Sequence, residues 1–279
     1  MRLLLASRVA VLALAFLIGL AALSALAPLL APADPELVNP AVRLRGPSPE
    51  HWLGTDDLGR DVLSRLLYGG RISLLVGAAV TLVAVVLGAA LGLLAGYWSW
   101  LDGPIMRVLD GIMAFPGVLL AIAIVVSLGP GLGSVIIALA LVYTPVVARL
   151  IRSTTLVIKQ MPYVEAARCI GLPHRVILWR YVLANSVSPL IVQATFIVAY
   201  AILAEASLSF LGASGNPEAA TWGAMLRDGQ RLVSRAWWLA LAPGTVLFLT
   251  VFALNLVGDV LRDALDPRAH ERREDAPVQ

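Results

Sequence analysis

Residues 163–183 read Tyr163-Val164-Glu165-Ala166-Ala167-Arg168-Cys169-Ile170-Gly171-Leu172-Pro173-His174-Arg175-Val176-Ile177-Leu178-Trp179-Arg180-Tyr181-Val182-Leu183. This charged stretch stands between two apolar runs, about 133–157 and about 183–206. Each run is long enough to cross a bilayer, whose core of roughly 30 Å takes about 20 apolar residues of helix. Charged side chains are costly in hydrocarbon, so residues 163–183 separate two spans and form a loop at the membrane surface. Working outward, four more runs meet the same standard, at about 9–31, 72–98, 108–129 and 237–258. The expected fold class is an all-α polytopic membrane protein with six transmembrane helices.

Composition agrees with that class. The chain is 59% hydrophobic and 14% charged, against about half and about a quarter in soluble domains. The first run could be read as a signal peptide, since Arg2 and Arg8 precede it and Ala25-Leu26-Ala27 closes it. It is longer than the roughly 7–15 residues of a signal core and reads as a span. Cys169 is the single cysteine, so no internal disulfide forms, and no metal-ligand spacing surrounds it. The net charge of +3 does not point to nucleic acid. The single lysine, Lys159, follows no glycine-rich run, so the chain has no phosphate-cradling loop and any ATP is bound elsewhere. His51, His174 and His270 lie far apart, and no Gly-x-Ser-x-Gly or His-Glu-x-x-His occurs, which argues against an enzyme. Asp110, Glu205 and Asp259 fall near span ends and read as interfacial groups. An ion-coupled carrier would place such a group in mid-membrane.

Arginine and lysine set orientation. With the N-terminus inside, thirteen of the 21 basic residues fall on the inner side and eight on the outer, where acids offset most of their charge. Both termini and the 158–182 loop are therefore expected inside. Gly129-Pro130-Gly131 joins the third and fourth runs as a tight hairpin. Gly77, Gly88, Gly92 and Gly96 give the second span a small-residue face, suited to close packing or to lining a path.

Within the loop, Pro162 suits a first helical turn, and Gly171 with Pro173 suits a helix end. A helix of about two turns is expected there, followed by a second helical run from about His174 into span five. Tyr163, Ala166, Ala167 and Ile170 fall on one face, made shallow by two alanines, and Glu165 lies in the first turn, where the dipole favours an acid. An amphipathic helix resting on anionic headgroups would use the same arginines. On the outer side, Thr55-Asp56-Asp57-Leu58 reads as a capped helix start, predicting an amphipathic helix on the membrane face. Asp56, Asp57 and Asp61 lack EF-hand spacing. Trp222, Trp237 and Trp238 suit outer interfacial anchors, and Trp98 and Trp100 inner ones.

Several motifs together resemble the inner-membrane permease subunits of the dipeptide/oligopeptide/nickel group of ATP-binding-cassette (ABC) importers, specifically the shorter C-type subunit. They are Leu53-Gly54-Thr55-Asp56-Asp57-Leu58-Gly59-Arg60-Asp61, Ala114-Phe115-Pro116-Gly117, Tyr163 to Gly171, Leu203 to Gly212, Thr221-Trp222-Gly223, and Leu261 to Arg268. The family commonly shows Ile-x-Leu-Pro where this chain has Tyr181-Val182-Leu183-Ala184. The resemblance implies a type I ABC-importer permease fold. It divides the chain into an N-terminal span with an external amphipathic segment (1–71), a five-span permease core (72–262) with a coupling helix at about 162–172, and a cytoplasmic tail (263–279). It implies a multi-pass protein of a bacterial or archaeal inner membrane, with both termini cytoplasmic.

The implied partners are a homologous permease subunit forming a heterodimer, two cytoplasmic ATPase subunits holding ATP and Mg, and an extracytoplasmic substrate-binding protein. The chain itself would bind no cofactor and no metal. Tyr163, Glu165, Ala166, Ala167, Arg168, Gly171 and Leu172 would dock the ATPase. Asp56, Asp57, Arg60, Asp61 and Trp222 would face the binding protein. Di- and oligopeptides are the implied cargo, with nickel complexes or glutathione as alternatives within the group and an ATPase-independent carrier as the runner-up outside it.

Overall fold

The computed structural model describes residues 8–213 and 219–265. Arg2, Glu218 and the tail 266–279, with the end of the Leu261–Arg268 motif, lie outside the described residues. The first helix, α1, runs Arg8–Ala25, with a further helical turn at Ala27–Leu30. Then come α2 (Val62–Tyr97), α3 (Ser99–Met113), α4 (Gly117–Leu128), α5 (Leu132–Ile158), α6 (Pro162–Cys169), α7 (Ala184–Phe210), α8 (Trp222–Gln230) and α9 (Trp238–Leu265). Five helical runs are individually long and apolar enough to cross a bilayer, and the bent pair of α3 and α4 brings the number to six if it counts as one broken span. The described residues form no strand; Thr55 and Asp61 make one isolated bridge.

Two expectations about the spans are corrected. The second span is not preceded by a separate amphipathic helix. Neither Thr55 nor Asp56 caps a helix; Asp61 does, accepting from the Ser64 amide at 2.8 Å, and α2 then runs 36 residues without a break. A proline-free apolar sequence offers nothing to interrupt it. Residues 33–61 instead form a compact loop. In it the Thr55 hydroxyl donates to the Val42 carbonyl, and the His51 ring meets the second Asp61 oxygen at 2.9 Å.

The third span is not straight. Pro116 disfavours helix at Phe115, and α3 and α4 meet at 92° across that break. Two acids fix α3 to α5: Asp102 takes both Nε and an Nη of Arg152 at 2.5 Å, and Asp110 takes Arg149 at 2.5 Å. The first pair is bidentate, the geometry in which arginine grips a carboxylate most firmly.

The most extensive helix pairing is α2 on α5, and the small-residue face explains it. A Cβ at Gly88 would stand 2.5 Å from Val147 Cβ, one at Gly92 2.5 Å from the Ala148 carbonyl, and one at Gly96 2.6 Å from Thr155 Cβ. Three glycines four residues apart let the α2 backbone sit directly on α5, so these glycines serve helix packing. Gly77 does the same against Ile202 of α7. The helices α7 and α9 pack together beside this pair, and α1 lies against α9 and α2.

The tryptophans at the loop end divide between two roles. Trp237 is exposed, as an interfacial anchor should be. Trp222 is fully buried and donates its indole N–H to the Leu66 carbonyl at 3.1 Å, and Trp238 is buried with its N–H toward the Thr55 carbonyl at 3.3 Å. Both pin the 33–61 loop and α8 to the bundle. Asp61→Ala removes the α2 cap and the His51 contact together. It is expected to cost about 2 kcal/mol, seen as a lower melting temperature of the purified protein in detergent. Replacing half-exposed Asp57, which caps no helix, should leave that temperature unchanged.

Candidate functional site

At the end of the bundle opposite the 33–61 loop, α6 projects from the α5 terminus. Pro162 opens it, Glu165 sits in its first turn and Arg168 in its last, each charge placed to favour the helix dipole. Its end is a full Schellman closure. Gly171 takes φ +79°, its amide donates to the Arg168 carbonyl at 2.9 Å, and the Leu172 amide donates to Ala167 at 3.1 Å. The left-handed φ is what glycine supplies without steric cost.

One face of α6 belongs to the chain itself. Val164 and Ala167 are buried against Tyr97, Ile158, Ile177 and Val182. This corrects the expected face: Ala167 points inward and offers nothing to a second protein. The outward side carries Glu165, Ala166, Cys169 and Ile170, all exposed, with Tyr163 at its edge. Ile170, at 75% exposure, is a large apolar side chain left uncovered on that side.

Aromatic and cationic contacts bind α6 to the spans. The Arg168 guanidinium lies 5.5 Å from the centre of the Tyr97 ring at the end of α2. The Tyr97 hydroxyl meets His174 Nδ1 at 2.7 Å. Tyr163 stacks on Tyr181 with ring centres 6.2 Å apart, and Lys159 donates to the Gly96 carbonyl at 2.7 Å. The helix is thus clamped to α2, α5 and the run that becomes α7. That run is helical from His174 to Phe210, 37 residues, and adopts π geometry over Ile177–Leu183. The stretch where the sequence departs from Ile-x-Leu-Pro therefore holds a widened turn and no break. π turns are rare and occur mostly as bulges within α-helices. A displacement of α6 has a direct mechanical route into α7.

The residues expected to face a binding protein do not form one surface. The Asp56 carboxylate accepts from the amides of Leu58 and Arg60 at 2.9 and 2.8 Å and from Arg60 Nε at 2.6 Å, with Arg65 at 3.7 Å. Asp61 is spent on its cap and on His51. With Trp222 buried as well, these three are fold-building residues. Local capping and turn chemistry explain why acids stand at those positions. Asp57 and Arg60 keep partial exposure.

The sequence reading of Glu205 as an interfacial group is corrected. Glu205 is 3% exposed within α7. Its carboxyl accepts from Ser73 of α2 at 2.9 Å and from Ser209 at 2.7 Å, and the Thr221 hydroxyl beside α8 is also bonded to it. It is not an interfacial group; it ties two spans and the α8 segment together. The signal was present as small hydroxyl residues at 73, 209 and 221, but only the fold brings them to one point. Glu205→Leu leaves three buried hydroxyls without that partner. It is expected to destabilise the protein by about 3 kcal/mol, measured as a fall in melting temperature, with Glu205→Gln recovering most of it.

The model of the family described as the inner membrane component of binding-protein-dependent transport systems matches residues 68–271. A dipeptide transport system permease protein DppC of Alkalihalophilus pseudofirmus is 42% identical over 94% of this chain and 86% of its own length. A glutathione transport system permease protein GsiD of Pectobacterium atrosepticum is 47% identical over 93% and 87% respectively. Among solved structures, an inward-facing MetNI methionine ABC transporter aligns with TM-score 0.61 at 18% identity, covering 72% of this chain and 96% of that one. That likeness speaks for the fold alone.

Proposed function

We propose that this chain, which belongs to the binding-protein-dependent transport system inner membrane component family, is one of two permease subunits of an ATP-driven peptide importer and receives the ATPase stroke through α6. A homologous permease subunit would complete the path. Two ATPase subunits holding ATP and Mg would dock from the cytoplasm, one beneath each permease, and a substrate-binding protein would deliver cargo from outside. The membrane-embedded helices make the chain a multi-pass membrane protein. The inner-side excess of arginine supports a cytoplasmic α6 with both termini inside.

The observation that carries the reading is the clamped geometry of α6. It offers a partner Glu165, Ala166 and Ile170, while its inner face and its ring contacts lock it to α2 and α7. Closure of the ATPases on ATP would draw α6 with them, and α7 would carry the motion to the path. Peptide cargo is supported by the DppC relative and glutathione by the GsiD relative. Glutathione is itself a peptide, so one path chemistry suits both.

Co-purification tests the reading. A tagged copy of this chain, solubilised from its native membrane, should bring down a second permease and a pair of ATPases. Recovery of the chain without any ATPase, from membranes that contain them, would refute it.

A further inference from the structure

Between α5, α7 and α9 lies a cavity of about 430 Å³. Its wall is partly apolar, from Leu150, Val192 and Phe196, and partly polar, from Ser188, Gln193 and Arg262. Among the described residues, none of those three polar side chains has a hydrogen bond or ion pair. Ser188 and Gln193 are half-buried, and a polar side chain taken out of water without a hydrogen-bond partner is costly.

Their heights differ in an informative way. Gln193 stands nine residues into α7, about 14 Å along its axis and near mid-depth of a core of roughly 30 Å. Arg262 lies at the far end of α9, about 36 Å from Trp238 and so at the membrane edge on the α6 side. The cavity therefore offers a cation at its mouth, an amide and a hydroxyl deeper in, and apolar side chains around them.

We infer that this cavity is a cargo subsite on the exit side, in which Arg262 takes the terminal carboxylate of a short peptide and Gln193 and Ser188 hydrogen-bond its backbone. Guanidinium and carboxylate match in charge and in fork geometry. Small apolar side chains of the peptide would rest on Leu150, Val192 and Phe196. The inference rests on the peptide-import reading and adds a specificity-determining residue to it. An anionic lipid headgroup presents similar oxygens, but it has no use for a polar group at mid-depth, and Gln193 favours the peptide.

The test uses the assembled importer in phosphatidylcholine nanodiscs without a delivering protein. Equilibrium binding of tri-alanine is compared with that of tri-alanine amide. The acid should bind about tenfold more tightly than the amide. Arg262→Gln should abolish that preference, Arg262→Lys should retain part of it, and Gln193→Ala should weaken both peptides alike. Equal affinities in the unaltered complex, a preference that survives Arg262→Gln, or no saturable tri-alanine binding would overturn the assignment. So would Arg262-dependent retention of phosphatidylglycerol with no peptide bound, which would give the cavity to a lipid. The import reading fails separately, if the unaltered complex with its delivering protein accumulates no peptide under ATP.

Discussion

Replacing Glu165 by arginine is expected to lower ATP-driven uptake by the reconstituted importer at least about thirtyfold, while the chain remains inserted and its ATPases continue to hydrolyse ATP. Glu165 is exposed on the outward side of α6 and forms none of the contacts that clamp the helix to the spans, which run through Val164, Ala167, Arg168 and Tyr163. Its loss should spare the fold. In the docked complex the reversal sets a cation where an acid was recognised, and losing a desolvated charge pair costs about 2 kcal/mol or more. Uptake into proteoliposomes, measured beside phosphate release from the same samples, separates coupling from catalysis. Uptake at the unaltered rate would remove α6 from the transmission path.

The second large effect is expected at Gly92. A Cβ there would already stand 2.5 Å from the Ala148 carbonyl and 2.8 Å from Ile151 Cβ, and backbone cannot swing aside as a side-chain end can. Gly92→Leu must push α2 off α5 along the pairing that organises the bundle. The expected cost is about 3 kcal/mol or more by overpacking, read as loss of a monodisperse peak in detergent and a lower melting temperature. Gly103, with nothing near its missing Cβ, is the control position, where leucine should leave the monodisperse peak in place.

Much of the architecture was legible because lipid imposes a simple rule: backbone groups must be satisfied within the helix, so apolar length alone marks a span. The start of α6 at Pro162 and its stop at Gly171 were legible for a similar reason, since cap chemistry is local. Its orientation was not. Two alanines look alike from sequence, yet Ala166 faces out and Ala167 in, because Val164 and the Tyr97 and Ile177 side chains decide which side of a two-turn helix is buried. The acids near residue 56 were misread for the opposite reason. They resemble surface charges, but Asp56 is consumed by nearby amides and by Arg60, four residues on, and Asp61 by its cap and by His51, ten residues back. Glu205 needed the fold outright, since Ser73 is 132 residues away. Pro116 was read only as part of a motif inside one span, and neither the bend there nor its 92° angle was legible, because a proline permits a break without fixing its direction.

The most direct measurement is cargo accumulation in proteoliposomes that hold this chain, its paralogous permease and both ATPases, with ATP inside and the binding protein and a labelled dipeptide outside. Accumulation against a gradient is expected only when ATP, the ATPases and the binding protein are all present, and it should vanish with Glu165→Arg while ATP hydrolysis persists. Accumulation by the two permeases alone, without ATPases or nucleotide, would contradict the coupling mechanism and return the chain to the class of self-sufficient carriers.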